Sequence, residues 1–205
     1  MITIAIIIVT VIASYAAWND SAAFEKYTFK PYAVVKYKEY FRFISSGFLH
    51  LDGNHLFFNM LTLYFFGPSL EAAFRANSGS NGWLYYLGLY ITALVVSEVG
   101  TFQKHLNNSR YSSLGASGAV SAVVFAGIWM YPQMTIWGFI PGFVYGAIYL
   151  IYTAHASKND YSGTINHDAH FYGSVWGILY CLLFYPSSLS DFLNYLVNFR
   201  MFDFF

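Results

Sequence analysis

Residues 115–131 read GASGAVSAVVFAGIWMY, seventeen positions without a charge. Serine is the only polar residue in the run before its closing tyrosine, and small residues recur at Gly118, Ala122 and Ala126, spaced by four. In lipid only a helix or a closed barrel satisfies every backbone polar group. The run lacks the alternation of a barrel strand, so it reads as a membrane-crossing helix that opens on Gly115-Ala116-Ser117-Gly118.

Working outward, five more apolar runs approach the roughly 17–25 residues that a spanning helix needs. They are Ile2–Trp18, His55–Phe74, Trp83–Phe102, Thr135–Thr153 and Asp168–Pro186. The composition agrees. Of 205 residues 57% are hydrophobic and 10% charged, whereas a soluble domain carries about 25% charged residues. Aromatics make up 22%, which suits a chain with much surface at membrane interfaces. Formal net charge is zero, so no nucleic-acid partner is expected. The lone Cys181 allows no internal disulfide. The run from Ile2 to Ala17 lacks a basic leader and reads as a retained span rather than a signal peptide.

The expected fold class is therefore all-α: a single multi-pass membrane domain over residues 1–205, with six transmembrane helices. Its core covers about 40–186, and 187–205 form an apolar tail with a short interfacial helix. The long connection Asn19–Asn54 interleaves Lys26, Lys30, Lys36, Lys38 and Arg42 with aromatic residues, as expected of segments in the headgroup region.

Six spans put the second, fourth and sixth helices in the same direction, so their N-terminal ends share one side of the bilayer. Intramembrane polar residues are expensive and point to a site. At this level stand His50, His55 and Asn59, then Ser117, then Asp168 and His170. A serine hydroxyl needs a base to become a nucleophile, and histidine can serve near neutral pH. His55 and Asn59 are four apart and share a helix face, where they could donate to an oxyanion. The backbone N–H of Ser117 adds a donor, because first-turn amides lack helical partners. Gly173 and Gly177 lie on the His170 face and would let the sixth helix approach the fourth. Asp168 is expected to cap its helix, Glu71 to bind neighbouring backbone groups, and Glu98 to reach water.

These motifs resemble the rhomboid family of intramembrane serine proteases. Gly115-Ala-Ser-Gly118 is similar to its GxSG motif, His50-x4-His55-x3-Asn59 to its second-helix motif, and Ala169-His170-x2-Gly173-x3-Gly177 to its sixth-helix motif. Gly67-x3-Glu71 resembles the inner end of its second helix. The resemblance implies a Ser117–His170 dyad acting through an acyl-enzyme on transmembrane segments of other proteins. It gives His55 and Asn59 to oxyanion stabilisation, and His50, Gly115, Gly118, Gly173 and Gly177 to active-site support. It implies no metal and no cofactor. Partners would be transmembrane protein substrates and the lipid bilayer; nothing in the pattern speaks to oligomeric state. It also implies that the fifth helix and fifth loop control admission of substrate. The six-span core without soluble domains fits a bacterial inner membrane, with the site opening outward.

Three positions depart from the family pattern. Its first-loop Trp-Arg pair reads Phe41-Arg42. Arg75 stands where the Glu71 motif often ends in glycine. The position four after the serine, often an aromatic packed on the histidine, is Ser121, which leaves His170 to another ring or to a looser hold. Charge also runs against the orientation: Lys26, Lys30, Lys36, Lys38, Arg42, Lys104, Arg110 and Lys158 fall on the Ser117 side, and Arg75 and Arg200 opposite. The positive-inside rule alone would turn that side toward the cytoplasm. Two other readings are an inactive rhomboid-like client-binding protein and a polytopic haem or metal protein; against the latter, no HExxH pattern is present.

Overall fold

The computed structural model describes residues 1–159 and 165–199. Long helices dominate. α1 is Ile2–Trp18. The first connection folds into three short helices, α2 (Ser21–Tyr27), α3 (Pro31–Tyr37) and α4 (Arg42–Ser45). Then come α5 (Gly53–Ser78), α6 (Gly82–Ser97) and α7 (Val99–His105). α8 (Ser117–Met130) precedes a small hairpin, β1 (Thr135–Ile136) with β2 (Ile140–Pro141). The chain continues through α9 (Gly142–Asn159), α10 (His167–Phe184) and α11 (Ser187–Asn198).

Each expected apolar segment holds a helix, with one shift. The fifth was expected from Thr135, but Thr135–Pro141 is a hairpin and the helix begins at Gly142. Trp137 and Gly138 take positive φ of 54° and 78°, which forms a turn and is incompatible with a helix. The all-α expectation is corrected to that extent. By length and composition, 53–105 is the one stretch among the described residues long and apolar enough to cross a membrane; Ile2–Trp18 and Ser117–Met130 are shorter apolar helices. The tail holds α11, whose Ser188 accepts from Trp129 Nε1 at 2.9 Å and whose Phe192 stacks on Trp129.

α8 is the central element. Its residues from Gly118 to Ile128 are all buried, and α5, α6, α9 and α10 pack around it. The closest pair is α8 with α10. A Cβ at Gly173 would collide with the carbonyl oxygen of Gly118, and one at Gly177 with that of Ala122. Cys181 Sγ meets the Ala126 carbonyl one turn further on. The three contacts keep one register, so the helices run parallel, and the stripe Gly118–Ala122–Ala126 is the surface on which α10 lies. Residues with side chains at Gly173 or Gly177 would force the backbones apart.

Other anchors hold the periphery. Glu71 accepts from the N–H groups of Ile2 and Thr3 at 3.0 and 3.1 Å, and from the Thr3 hydroxyl. It thereby satisfies first-turn donors of α1 that have no helical partner. This is the backbone-binding role expected of it. Arg42 is buried in the first connection. It pairs with Glu39 and donates to the carbonyls of Thr28 and Glu25 at 2.6 and 3.0 Å. The arginine anchor is complete even though Phe41 replaces tryptophan beside it.

Candidate active site

Ser117 is the first residue of α8, and His170 lies in the first turn of α10. The parallel contact of these helices puts both at one end of the molecule. α5 brings its own N-terminal turn to the same end. Gly115 has φ of +123°, and a Cβ there would lie 2.7 Å from the His55 ring. Glycine is needed on both counts: for the backbone conformation and for the close approach.

A cavity of about 200 Å³ opens at Ser117. Its walls include Asn59 and Thr62 from α5, Val120 and Ser121 from α8, and Tyr145 and Tyr149 from α9. Asn59 faces the cavity with one amide hydrogen donated to the His55 carbonyl at 3.0 Å. Its second N–H is left for another acceptor. His55 stands one turn earlier, against Gly115 and edge-on to His50 with ring centroids 4.9 Å apart.

His50 is fully buried and holds three segments together. Its Nε2 accepts from the Ala116 N–H at 3.3 Å, and Nδ1 meets the Ser14 hydroxyl at 3.1 Å. The Ser14 hydroxyl donates to the Phe48 carbonyl at 3.0 Å. Because Nε2 must accept from an N–H, the proton belongs on Nδ1, donated to Ser14. Burial, and then the neighbouring His55, push the His50 imidazole down to about 3, which keeps this neutral form. Both ring nitrogens are engaged, so His50 has none left for a metal.

His170 is supported by a residue that the motifs do not contain. Tyr149 Oη lies 3.1 Å from Nδ1 of His170, and the two rings are nearly parallel. The position four after the serine, Ser121, contributes a cavity-wall hydroxyl in place of a ring. Among the described residues no hydrogen bond yet joins Ser117 to His170; such bonds are often long before substrate binds.

Two acidic residues behave differently from expectation. The cap of α10 is Asn166, whose side chain accepts from the Ala169 N–H at 3.0 Å. Asp168 lies inside the first turn and instead binds Lys104 Nζ at 2.7 and 2.8 Å and the Ser157 hydroxyl at 2.6 Å. Glu98 does not reach water. It is 7% exposed and accepts from Asn166 Nδ2 at 3.2 Å, with the Ser113 hydroxyl at 3.5 Å. Thr101 donates to the Asn166 carbonyl oxygen of the side chain at 2.8 Å. Ser113 is four residues before Ser117, and Asn166 four before His170. One buried carboxyl group therefore ties together the two approaches to the site. Part of the polar fifth loop, residues 160–164, lies outside the described residues, as does Arg200.

A model of the rhomboid domain matches residues 37–187. The chain is 34% identical over 104 residues to RHOMBOID-like protein 12, mitochondrial, of Arabidopsis thaliana, covering 46% of this chain and 30% of that protein. It is 28% identical over 173 residues to Rhomboid-like protein 11, chloroplastic, of the same plant, covering 78% of this chain and 59% of the relative. Rhomboid protein 1, mitochondrial, of Saccharomyces cerevisiae is 28% identical over 146 residues, or 67% of this chain and 40% of its own length. The matched segments thus span between about a third and three fifths of these relatives. Their names place them in organelles and lend no support to the bacterial membrane expected above.

Proposed function

Because the chain belongs to the rhomboid family, a family of membrane-embedded proteins, we propose that it is an intramembrane serine endopeptidase with Ser117 as nucleophile and His170 as general base. One observation carries the reading. The glycine contacts between α8 and α10 bring the first turns of both helices to one end, and Ser117 opens there into a cavity.

A client transmembrane segment would approach between α5 and α9, the two walls of the cavity, and unwind beside Ser117. Unwinding is required because a helical peptide bond is shielded by its own hydrogen bonds. Glycine or proline near the cut would ease it. Ser117 Oγ adds to the scissile carbonyl carbon while its proton passes to Nε2 of His170. The oxyanion is held by Asn59, His55 and the first-turn N–H of Ser117. His170 then gives the proton to the departing amine as the C–N bond breaks. Water hydrolyses the resulting ester by the same route in reverse, which frees Ser117.

The charge pattern that opposed an outward site is partly internal. On the Ser117 side Lys30 pairs with Glu25, Arg42 with Glu39 and Lys104 with Asp168. The test is cleavage of a model transmembrane substrate in lipid vesicles by the wild-type chain and by Ser117→Ala. Cleavage by the first and not the second is expected. Equal cleavage by both would remove Ser117 from the reaction.

A further inference from the structure

The imidazole of a general base must present a lone pair to the nucleophile. A neutral histidine carries one N–H, on one nitrogen or the other. If that proton sat on Nε2 of His170, the ring could not take the Ser117 proton through that atom. Something must keep it on Nδ1, and among the described residues the side chain that meets Nδ1 comes from α9, an element with no dyad residue.

That partner is Tyr149, with Oη 3.1 Å from Nδ1. Its ring lies nearly parallel to the imidazole, at 22° and with centroids 6.3 Å apart. The tyrosine is itself confined. Tyr145 stacks on it at 5.7 Å from one turn earlier, and Phe125 of α8 meets it at 5.7 Å. Ser121 lines the same cavity as Tyr149. A phenol has one hydrogen and can accept as well. When its hydrogen points into the cavity, its lone pair is left for His170.

We propose that Tyr149 is the positioning residue of His170: its phenolic oxygen accepts the Nδ1–H, fixes the tautomer, and leaves the Nε2 lone pair for Ser117. The role rests on the dyad reading given above. It corresponds chemically to that of the aspartate in a Ser-His-Asp triad, with a neutral acceptor in place of a carboxylate. When His170 takes the Ser117 proton, both ring nitrogens carry hydrogen. The Nδ1–H must then have an acceptor, and Tyr149 supplies it without rotating. A tyrosine that donated to Nδ1 would have to turn its hydrogen away at that moment.

Tyr149→Phe tests this, because it keeps the ring and removes only the oxygen. The full chain in detergent, labelled with ¹⁵N-histidine, reports the tautomer, and the His170 signals are assigned by their loss in His170→Gln. The wild type should show the Nδ1–H form, and Tyr149→Phe a mixture or the Nε2–H form. Covalent labelling of Ser117 by a fluorophosphonate should slow by about 10–100-fold. That is less than the ~10⁴-fold loss on neutralising a triad aspartate, because a phenol is a weaker acceptor. Cleavage should lose kcat with KM unchanged, at an unaltered thermal unfolding temperature. An unchanged tautomer and unchanged labelling rate in Tyr149→Phe would overturn the proposal and leave Tyr149 a packing residue. If the wild type itself failed to label, the dyad reading would fall and the catalytic role of Tyr149 with it. The tautomer comparison would still decide whether Tyr149 holds the ring.

Discussion

The backbone of Gly173 lies directly against the carbonyl oxygen of Gly118, with no space for a methyl group between them. This contact sets the separation of the helices that carry Ser117 and His170. Gly173→Ala should therefore push α10 from α8, lower stability by about 1–3 kcal/mol and strongly reduce Ser117 labelling. Gly53→Ala is the control, since nothing lies within 4 Å of a Cβ there. Thermal unfolding in detergent, paired with probe labelling, separates the two variants.

Glu98 joins Ser113 and Asn166, and so connects the segments leading into both helices. Removing it leaves half-buried donors without a partner, at a cost toward the lower end of about 1–3 kcal/mol. Glu98→Ala should lower the unfolding temperature and slow labelling. Glu98→Gln retains an acceptor oxygen of nearly the same shape and should recover most of both.

Asn59 and His55 share a helix face, but only Asn59 is among the residues that line the cavity with Ser117. Loss of an oxyanion donor costs about 10²–10³ in rate. Asn59→Ala should approach that loss in kcat with little change in KM. His55→Ala should be milder in kcat and should also reduce stability, because its ring packs on Gly115. Steady-state cleavage of a transmembrane substrate compares them.

His50 sits in the connection before α5, neutral and with both nitrogens bonded. Its folded value of about 3, lowered mainly by burial, lies below the ordinary histidine value of about 6.5. Between these values the unfolded chain binds the extra proton. Stability from this residue is therefore complete above about pH 6.5 and declines as pH falls toward 3, by up to ~1.4 kcal/mol per pH unit. Unfolding temperature measured from pH 7.5 down to 5 should fall in the wild type. His50→Gln should start lower and show a shallower decline.

Much of the candidate site was legible because its residues sit close together in sequence or at helical spacing. Ser117 with its glycines, and His170 with Gly173 and Gly177, each form a local pattern that a helix converts into one face. The direction of α8 and α10 followed from counting spans. What escaped had no local signature. Tyr149 is one of several rings on α9, and only tertiary packing selects the one that meets His170. Glu98 resembles any carboxylate near a helix end until Asn166, 68 residues away, folds onto it. Asn166 and Asp168 are both good caps two residues apart, and the choice depended on Lys104 binding the second. The start of α9 was misplaced because hydropathy does not register the positive φ at Trp137 and Gly138.

The central claim is that Ser117 is a nucleophile activated by His170. Incubating the purified chain with a fluorophosphonate probe, and locating the adduct by peptide mass spectrometry, tests it most directly. The expected result is an adduct on Ser117 that is lost in Ser117→Ala and nearly lost in His170→Ala. An adduct that persists in Ser117→Ala, or forms equally fast without the His170 imidazole, would contradict it.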